Sequence, residues 1–253
     1  MEVVDKNKTY SCSRYVKAKN FTQLMLCVLN NDLENAPHYL FEINAKNSIG
    51  WTALHIACRN SKTFSSEEMV DLLLRNGADP NAGANTETPL HLSSEYSNYG
   101  SSLETVEALI RSGADPNVKD GNGRTPLYLS SMHSNHTSSL ETVELLLRSN
   151  ADPNVKDGTG WTLLCMVSNN SKNSNSISSL ATVKLLLRYH AEPFDKKTEK
   201  LKLELDNKSL RDEISSLKDR MLRVEKLLQE HFDCAPDGPL YIEAKNRFEN
   251  KMY

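Results

Sequence analysis

Apolar residues recur in the same local order four times along the chain. Val70-Asp71-Leu72-Leu73-Leu74, Val106-Glu107-Ala108-Leu109-Ile110, Val143-Glu144-Leu145-Leu146-Leu147 and Val183-Lys184-Leu185-Leu186-Leu187 share one spacing. Apolar positions three and four apart predict an amphipathic helix at each. Each run leads into a polar turn phrase: NGADPNAG (76–83), SGADPNVKDGNG (112–123), SNADPNVKDGTG (149–160) and the degenerate YHAEPFDKK (189–197). Arg75, Arg111, Arg148 and Arg188 stand in the last turns, where a cation complements the helix dipole. Gly77 and Gly113 stand where a helix ends in a left-handed residue, and Asn150 is the next-best choice there. A second apolar set, TALHIA (52–57), TPLHLS (88–93), TPLYLS (125–130) and TLLCMV (162–167), predicts another row of helices, with Thr52, Thr88, Thr125 and Thr162 as caps and Pro89 and Pro126 at the first helical position.

The four threonines are 36, 37 and 37 residues apart. Self-similarity at such a period marks a solenoid, in which stacked units bury a continuous core that no single unit can bury alone. On the phrases TALHIA and TPLHLS, with their turn phrases at fixed offsets, residues 21–193 resemble the ankyrin repeat family. The resemblance implies an all-α solenoid of helix pairs joined by β-hairpin turns. Residues 21–50 read as an opening repeat, with FTQLMLCVL as first helix and DLENAPHYLF as second, followed by four more. The motif histidine is kept at His55 and His91 and becomes Tyr128 and Cys165.

The period exceeds the family's 33 residues. The surplus lies between the two helices of each repeat, in RNSKTFSSEE (59–68), EYSNYGSSLE (95–104), MHSNHTSSLE (132–141) and NNSKNSNSISSLA (169–181). Ser65, Ser101 and Ser138 precede Glu68, Glu104 and Glu141 by three residues, a capping-box spacing that predicts the start of each second helix; Ser178 has Ala181 instead. These loops are either plain growth on one face or a row of recognition loops carrying Phe64, Tyr96, Tyr99, His133 and His136.

Beyond Pro193 the turn phrases stop, and 195–232 contains neither Gly nor Pro. A long helix capped by Asp195 is predicted, with apolar residues at alternating steps of four and three. Lys200, Asn207, Ile214, Met221 and Leu228 take position a; Leu203, Leu210, Leu217, Val224 and His231 take d. Ile and Leu in those roles, with one Asn at a, favour two parallel strands. Across such a pair Asp206 faces Arg211, Glu213 faces Lys218 and Arg220 faces Glu225; Glu199 facing Glu204 is the one repulsive match. A parallel homodimer is expected, through Leu203, Asn207, Leu210, Ile214, Leu217, Met221, Val224 and Leu228. The other reading folds this helix back as a cap on the last repeat. The domain plan is therefore a flexible leader (1–20), ankyrin repeats (21–193), a coiled coil (194–232), and a turn with a short helix (233–253).

Composition changes this picture little but closes several routes. In 253 residues, 25% charged and 38% hydrophobic with a net charge of −3, there is no basic excess for general nucleic-acid binding. No apolar stretch approaches the eighteen or so residues of a membrane span, and no secretory leader is visible at the start. The five cysteines lie far apart without a CxxC pair, which reads as reduced thiols in the cytoplasm, with the nucleus also open to the chain. No phosphate loop, nucleophile elbow or HExxH helix occurs, so neither enzyme nor cofactor is expected. His133-x-x-His136 has ligand-like spacing but no companion, and no metal is assigned to it. A DNA-binding zipper would need a basic helix ahead of its heptads, where this chain has AEPFDKKTEK (191–200).

Family resemblance then implies a non-enzymatic scaffold whose concave surface, built from hairpin tips and first helices, binds a protein partner of unknown identity. The residues just before the four threonines, Trp51, Glu87, Arg124 and Trp161, form a column along that surface. Trp and Arg are enriched at binding hot spots. With the hairpin tips Lys119, Asp120, Lys156 and Asp157 they make the expected partner-binding set. Two alternatives stay open: each Trp packs over its own hairpin, or the chain is an adaptor that brings ubiquitin-ligase or other host machinery to a bound target, as some viral and bacterial ankyrin proteins do.

Overall fold

The computed structural model describes residues 10–11, 17–18, 20–83, 87–170, 180–193 and 196–232. The expected Asp195 cap, the Ser178 position and the terminal segment 233–253 lie outside these residues, as does most of the leader. Within the leader, β1 (Tyr10–Ser11) pairs antiparallel with β2 (Lys17–Ala18). The chain divides into two units, 1–196 and 197–253.

The first unit is a two-layer stack of helix pairs. After α1 (Gln23–Leu29) and a 3-10 segment (Ala36–Glu42) come α2 (Ala53–Asn60) with α3 (Glu67–Arg75), α4 (Pro89–Glu95) with α5 (Leu103–Arg111), α6 (Pro126–Met132) with α7 (Leu140–Arg148), and α8 (Leu163–Asn170) with α9 (Leu180–Arg188). First helices pack on first helices (α2 on α4, α4 on α6, α6 on α8), and second on second. Leu54, Leu90 and Leu127 from the first row and Leu73, Leu109 and Leu146 from the second are completely buried between the layers. The second unit holds all but the first residue of α10 (Lys196–Phe232), one uninterrupted helix about 55 Å long at 1.5 Å per residue.

Most helix starts and stops follow the expected chemistry. Thr88 and Thr125 side chains accept from the amides of His91 and Tyr128, and Thr162 from Cys165. Gly77, Gly113 and Asn150 have φ of +86°, +87° and +64°, and His190 fills the same place in the last repeat at +64°. Two expectations are corrected. The second element of the opening repeat is not an α-helix: Pro37 at its start offers no amide, and Tyr39 at φ −115°, ψ 15° breaks the helical run. The second-helix caps lie one residue further on, at Ser66, Ser102 and Ser139, which accept from the amides of Met69, Thr105 and Thr142.

Of the displaced serines, Ser101 and Ser138 join a buried hydroxyl ladder that holds the inserted loops together. Thr105 donates to Ser61 at 2.8 Å and Thr142 to Ser97 at 2.7 Å; Ser134 and Thr182 hydroxyls are 2.7 Å apart, and those of Ser97 and Ser138 3.2 Å. Main-chain bonds from Lys62 to Gly100 and from Asn98 to Thr137 join consecutive loops directly. The extra residues are thus a third column of inter-repeat contact.

Repeat-to-repeat register comes from the ADPN phrase. Asp79, Asp115 and Asp152 carboxylates each accept the amide two residues on, a local Asx turn. This aims Asn81, Asn117 and Asn154 at the next repeat. Their side-chain amides donate to the carbonyls of Gly113, Asn150 and His190 at 2.9, 2.9 and 3.3 Å. Their side-chain oxygens accept from the amides of Asp115, Asp152 and Glu192, each at 2.8 Å. Asn44 does the same for Gly77 and Asp79. Asn117→Ala removes both bonds at one boundary, so it should destabilise the chain by about 1–3 kcal/mol, read as a lower urea midpoint; an unchanged midpoint would contradict the clamp.

Candidate partner-binding face

Three of the hairpin turns close on one acid or amide, at Asn47, Asp120 and Asp157. Asp120 Oδ1 accepts from the amides of Asn122 (2.9 Å) and Arg124 (2.8 Å); Asp157 Oδ1 accepts from Thr159 and Trp161, and Asn47 Oδ1 from Ile49 and Trp51. The tips also touch: Gly158 donates to the carbonyl of Asn122 at 2.8 Å, an approach that leaves a Cβ on Gly158 only 2.8 Å from that oxygen. Trp51, Arg124 and Trp161, each just before a cap threonine, are fixed by these turns, and from the residue before the cap the first helix carries the face onward at steps of four. Trp51, His55 and Arg59 make one such row; Glu87, His91 and Glu95 the next; Arg124, Tyr128 and Met132 a third.

Across these rows the side chains form one polar and aromatic network. The Trp51 ring stacks on His55, 6.1 Å between centroids and 13° from parallel. The Arg59 guanidinium lies 5.7 Å from the Trp51 ring centre and 4.8 Å from that of Tyr96, in cation–π contact with both. Arg124 meets Asp120 at 2.6 Å and Glu87 at 3.7 Å. Glu95 lies 3.7 Å from His133 Nε2. Burial raises both glutamates' pKa values, against the attraction of Arg124 and Arg59. Glu87 stays raised despite its ion pair because burial, with repulsion from Glu95 and Asp120, outweighs the attraction of Arg124. His133 is lowered by burial, so its contact with Glu95 is neutral-sided rather than an ion pair at ordinary pH.

Of the expected partner-binding residues, Glu87, Asp120 and Arg124 are brought into one knot. Lys119 and Lys156 are joined at the exposed tips, Lys119 Nζ donating to the Lys156 carbonyl at 3.2 Å. Asp157 accepts from the Tyr128 hydroxyl. The two tryptophans are not brought together and differ in character: Trp51 is 7% exposed and Trp161 53%. Trp51 and Asp120 are closed in by their own repeats. The column of residues before the threonines missed Arg59 and Glu95, which a step of eight from Trp51 and Glu87 reaches directly. Tyr96 and His133, assigned to the inserted loops, cap α4 and α6 and turn toward this network. Phe64 (59%) and Tyr99 (75%) remain exposed on the loops.

The same positions carry the stack's internal bonds. His55 Nδ1 accepts from the Thr52 amide (3.1 Å), and Nε2 donates to the Glu87 carbonyl of the next repeat (3.1 Å); His91 repeats this with Thr88 and the Arg124 carbonyl.

A helix-pair stack with Asx-closed hairpins, and with histidines that bond their own cap threonine on one side and a carbonyl of the following repeat on the other, defines an interaction solenoid of the ankyrin type. The chain belongs to the ankyrin repeat family, whose model matches residues 24–120 and 95–197. Among curated proteins it is 37% identical over 86 residues to ankyrin repeat protein L86 of Acanthamoeba polyphaga mimivirus, covering 28% of this chain and 15% of that protein. Proteins L91 (36% over 89 residues, 30% of this chain and 14% of that protein) and L289 (40% over 74 residues, 25% and 14%) of the same virus are also similar. The chain thus spans about one seventh of the length of these relatives. Among the described residues no helix is long and apolar enough to cross a membrane.

The buried histidines give a pH signature. Burial pushes the pKa of His55 down to about 4 and lowers that of His91. An unfolded histidine takes its proton near pH 6.5, so the unfolded chain binds protons that the fold refuses. The stability contributed by neutral His55 is whole above about pH 6.5 and is lost as pH falls from there to about 4, on the order of 3 kcal/mol at the acid end. The raised carboxyls of Glu87 and Glu95 act in the opposite sense, gaining protons in the fold first. The urea midpoint should fall between pH 7 and 4.5, and a midpoint constant or rising over that range contradicts the histidine assignment.

Proposed function

We propose that this chain is a non-enzymatic interaction scaffold that holds a protein partner on its first-helix and hairpin face and is doubled through α10. Family membership supports the general role. The observation that carries the choice of face is its concentration of half-buried charge beside aromatic rings, with Arg59 between Trp51 and Tyr96, Glu95 beside His133, and Arg124 against Glu87. Exposed Trp161 with the tips Lys119 and Lys156 makes the outer contacts. Arg124, Glu87 and Asp157 make the inner ones, while Trp51 and Asp120 hold the shape of the face.

Affinity capture from source cells followed by binding measurements on the captured protein tests this. Trp161→Ala with Arg124→Ala should weaken binding by tenfold or more. Phe64→Ser with Tyr99→Ser, which changes exposed loop tips without touching the hydroxyl ladder, should leave affinity unchanged. The reverse pattern would move the site to the inserted loops. Ubiquitin-ligase subunits captured together with a separate target would make the chain an adaptor between them.

Doubling has its own signature, because two linked sites engage a repetitive target together. Ile214→Glu with Leu217→Glu, on the stripe that would join the copies, should leave affinity for the partner in solution unchanged. The same pair should weaken retention on a surface dense in that partner by about a hundredfold; equal retention would remove the doubling.

A further inference from the structure

Among the described residues of α10 the apolar stripe is largely exposed. Leu203, Leu210, Ile214 and Val224 are 62%, 55%, 52% and 39% exposed, and Leu217 and Met221 are partly so. The charges flanking the stripe find few partners on their own helix. Residues three and four away from Glu213, Arg211, Lys218 and Arg220 include no opposite charge. Asp206 has Lys202 within reach, yet among the described residues the ion pair recorded along α10 is Lys200 with Glu204, at 4.0 Å. A helix with this stripe and these side chains is built for a neighbour rather than for isolation.

A second copy matches it in one orientation. Parallel and in register, Asp206 faces Arg211, Glu213 faces Lys218 and Arg220 faces Glu225, all attractive, and each contact occurs twice by symmetry. Position 207 then sets two side-chain amides opposite each other, where each can donate to the other inside an apolar seam. Antiparallel with full overlap, position a of one helix meets d of the other. Asn207 is then set against Val224, leaving its amide without a polar partner. The flanks also fail: Arg211 meets Lys218 and Glu204 meets Glu225, with only Glu213 against Arg220 attractive.

We propose that α10 pairs with α10 of a second copy of this chain, parallel and in register, with Asn207 and the flanking charges selecting that orientation. The proposal rests on the self-association put forward above and specifies its geometry. Both ankyrin stacks then enter the paired helix at the same end.

Sedimentation equilibrium of the full chain across micromolar concentrations, with Lys218→Glu and with Lys218→Glu plus Glu213→Lys, tests it. In the parallel pair Lys218→Glu turns the contacts with Glu213 repulsive, so the dimer dissociation constant should rise roughly tenfold, and the added Glu213→Lys should restore it. In the antiparallel pair the same substitution gives Arg211 an opposite charge and tightens the dimer. A tighter Lys218→Glu dimer overturns the orientation while leaving self-association in place. A wild-type chain that is monomeric throughout overturns both, without bearing on partner binding by the repeats.

Discussion

Every described repeat boundary is spanned by one asparagine side chain working in both directions. Asn44, Asn81, Asn117 and Asn154 each donate to a carbonyl just past the next second helix and accept an amide two residues further on. Both partners belong to the segment where the chain leaves its helix, so each clamp sets the distance and the rotation between neighbours together. Helix packing alone would let one layer of leucines slide over another at small cost. Such a slide would break two hydrogen bonds at each boundary, each worth about 0.5–1.5 kcal/mol net. Left-handed Gly77, Gly113, Asn150 and His190 are what bring those carbonyls to the clamp.

A second set of bonds, from His55 and His91 to the following hairpin, couples that register to the candidate binding face. The carbonyls they hold belong to Glu87 and Arg124, so these two charged residues of the candidate face are pinned by the same bonds that hold the stack. The network of Arg59, Glu87, Glu95 and Arg124 is therefore rigidly placed, and half-buried charges in fixed positions suit selective recognition more than broad affinity. Lengthened loops do not loosen this arrangement, because their serine and threonine hydroxyls bond across repeats and replace water with one another.

The two units solve the problem of exposed apolar surface differently. In the repeats each apolar face is covered by the next copy of the same motif, which is why the pattern can be extended by duplication. In α10 no following motif continues the series, and a stripe of leucines is left with more than half its surface open at Leu203, Leu210 and Ile214.

Residue pattern by itself determined the all-α repeat class, the boundaries of the first helices, the left-handed ends and the single long helix, because each depends on contacts within a few residues along the chain. Thr88, Gly77 and Pro89 act on their own turn, and their roles are legible locally. Tertiary structure decided what depends on the neighbouring repeat. Ser65, Ser101 and Ser138 have the spacing of caps, yet the cap falls one residue further on, and the Ser101 and Ser138 hydroxyls meet Ser61 and Ser97 of the preceding repeat instead. DLENAPHYLF carries enough apolar residues for a helix, but Pro37 and the packing against α1 leave a 3-10 segment. Trp51 and Trp161 occupy the same place in their repeats, yet Trp51 is covered by His55 and Arg59 while Trp161 stays 53% exposed. The grouping of Arg59 with Tyr96 and of Glu95 with His133 arises across a repeat boundary, and a spacing of 37 or 38 along the chain becomes a few ångströms only once the stack has formed.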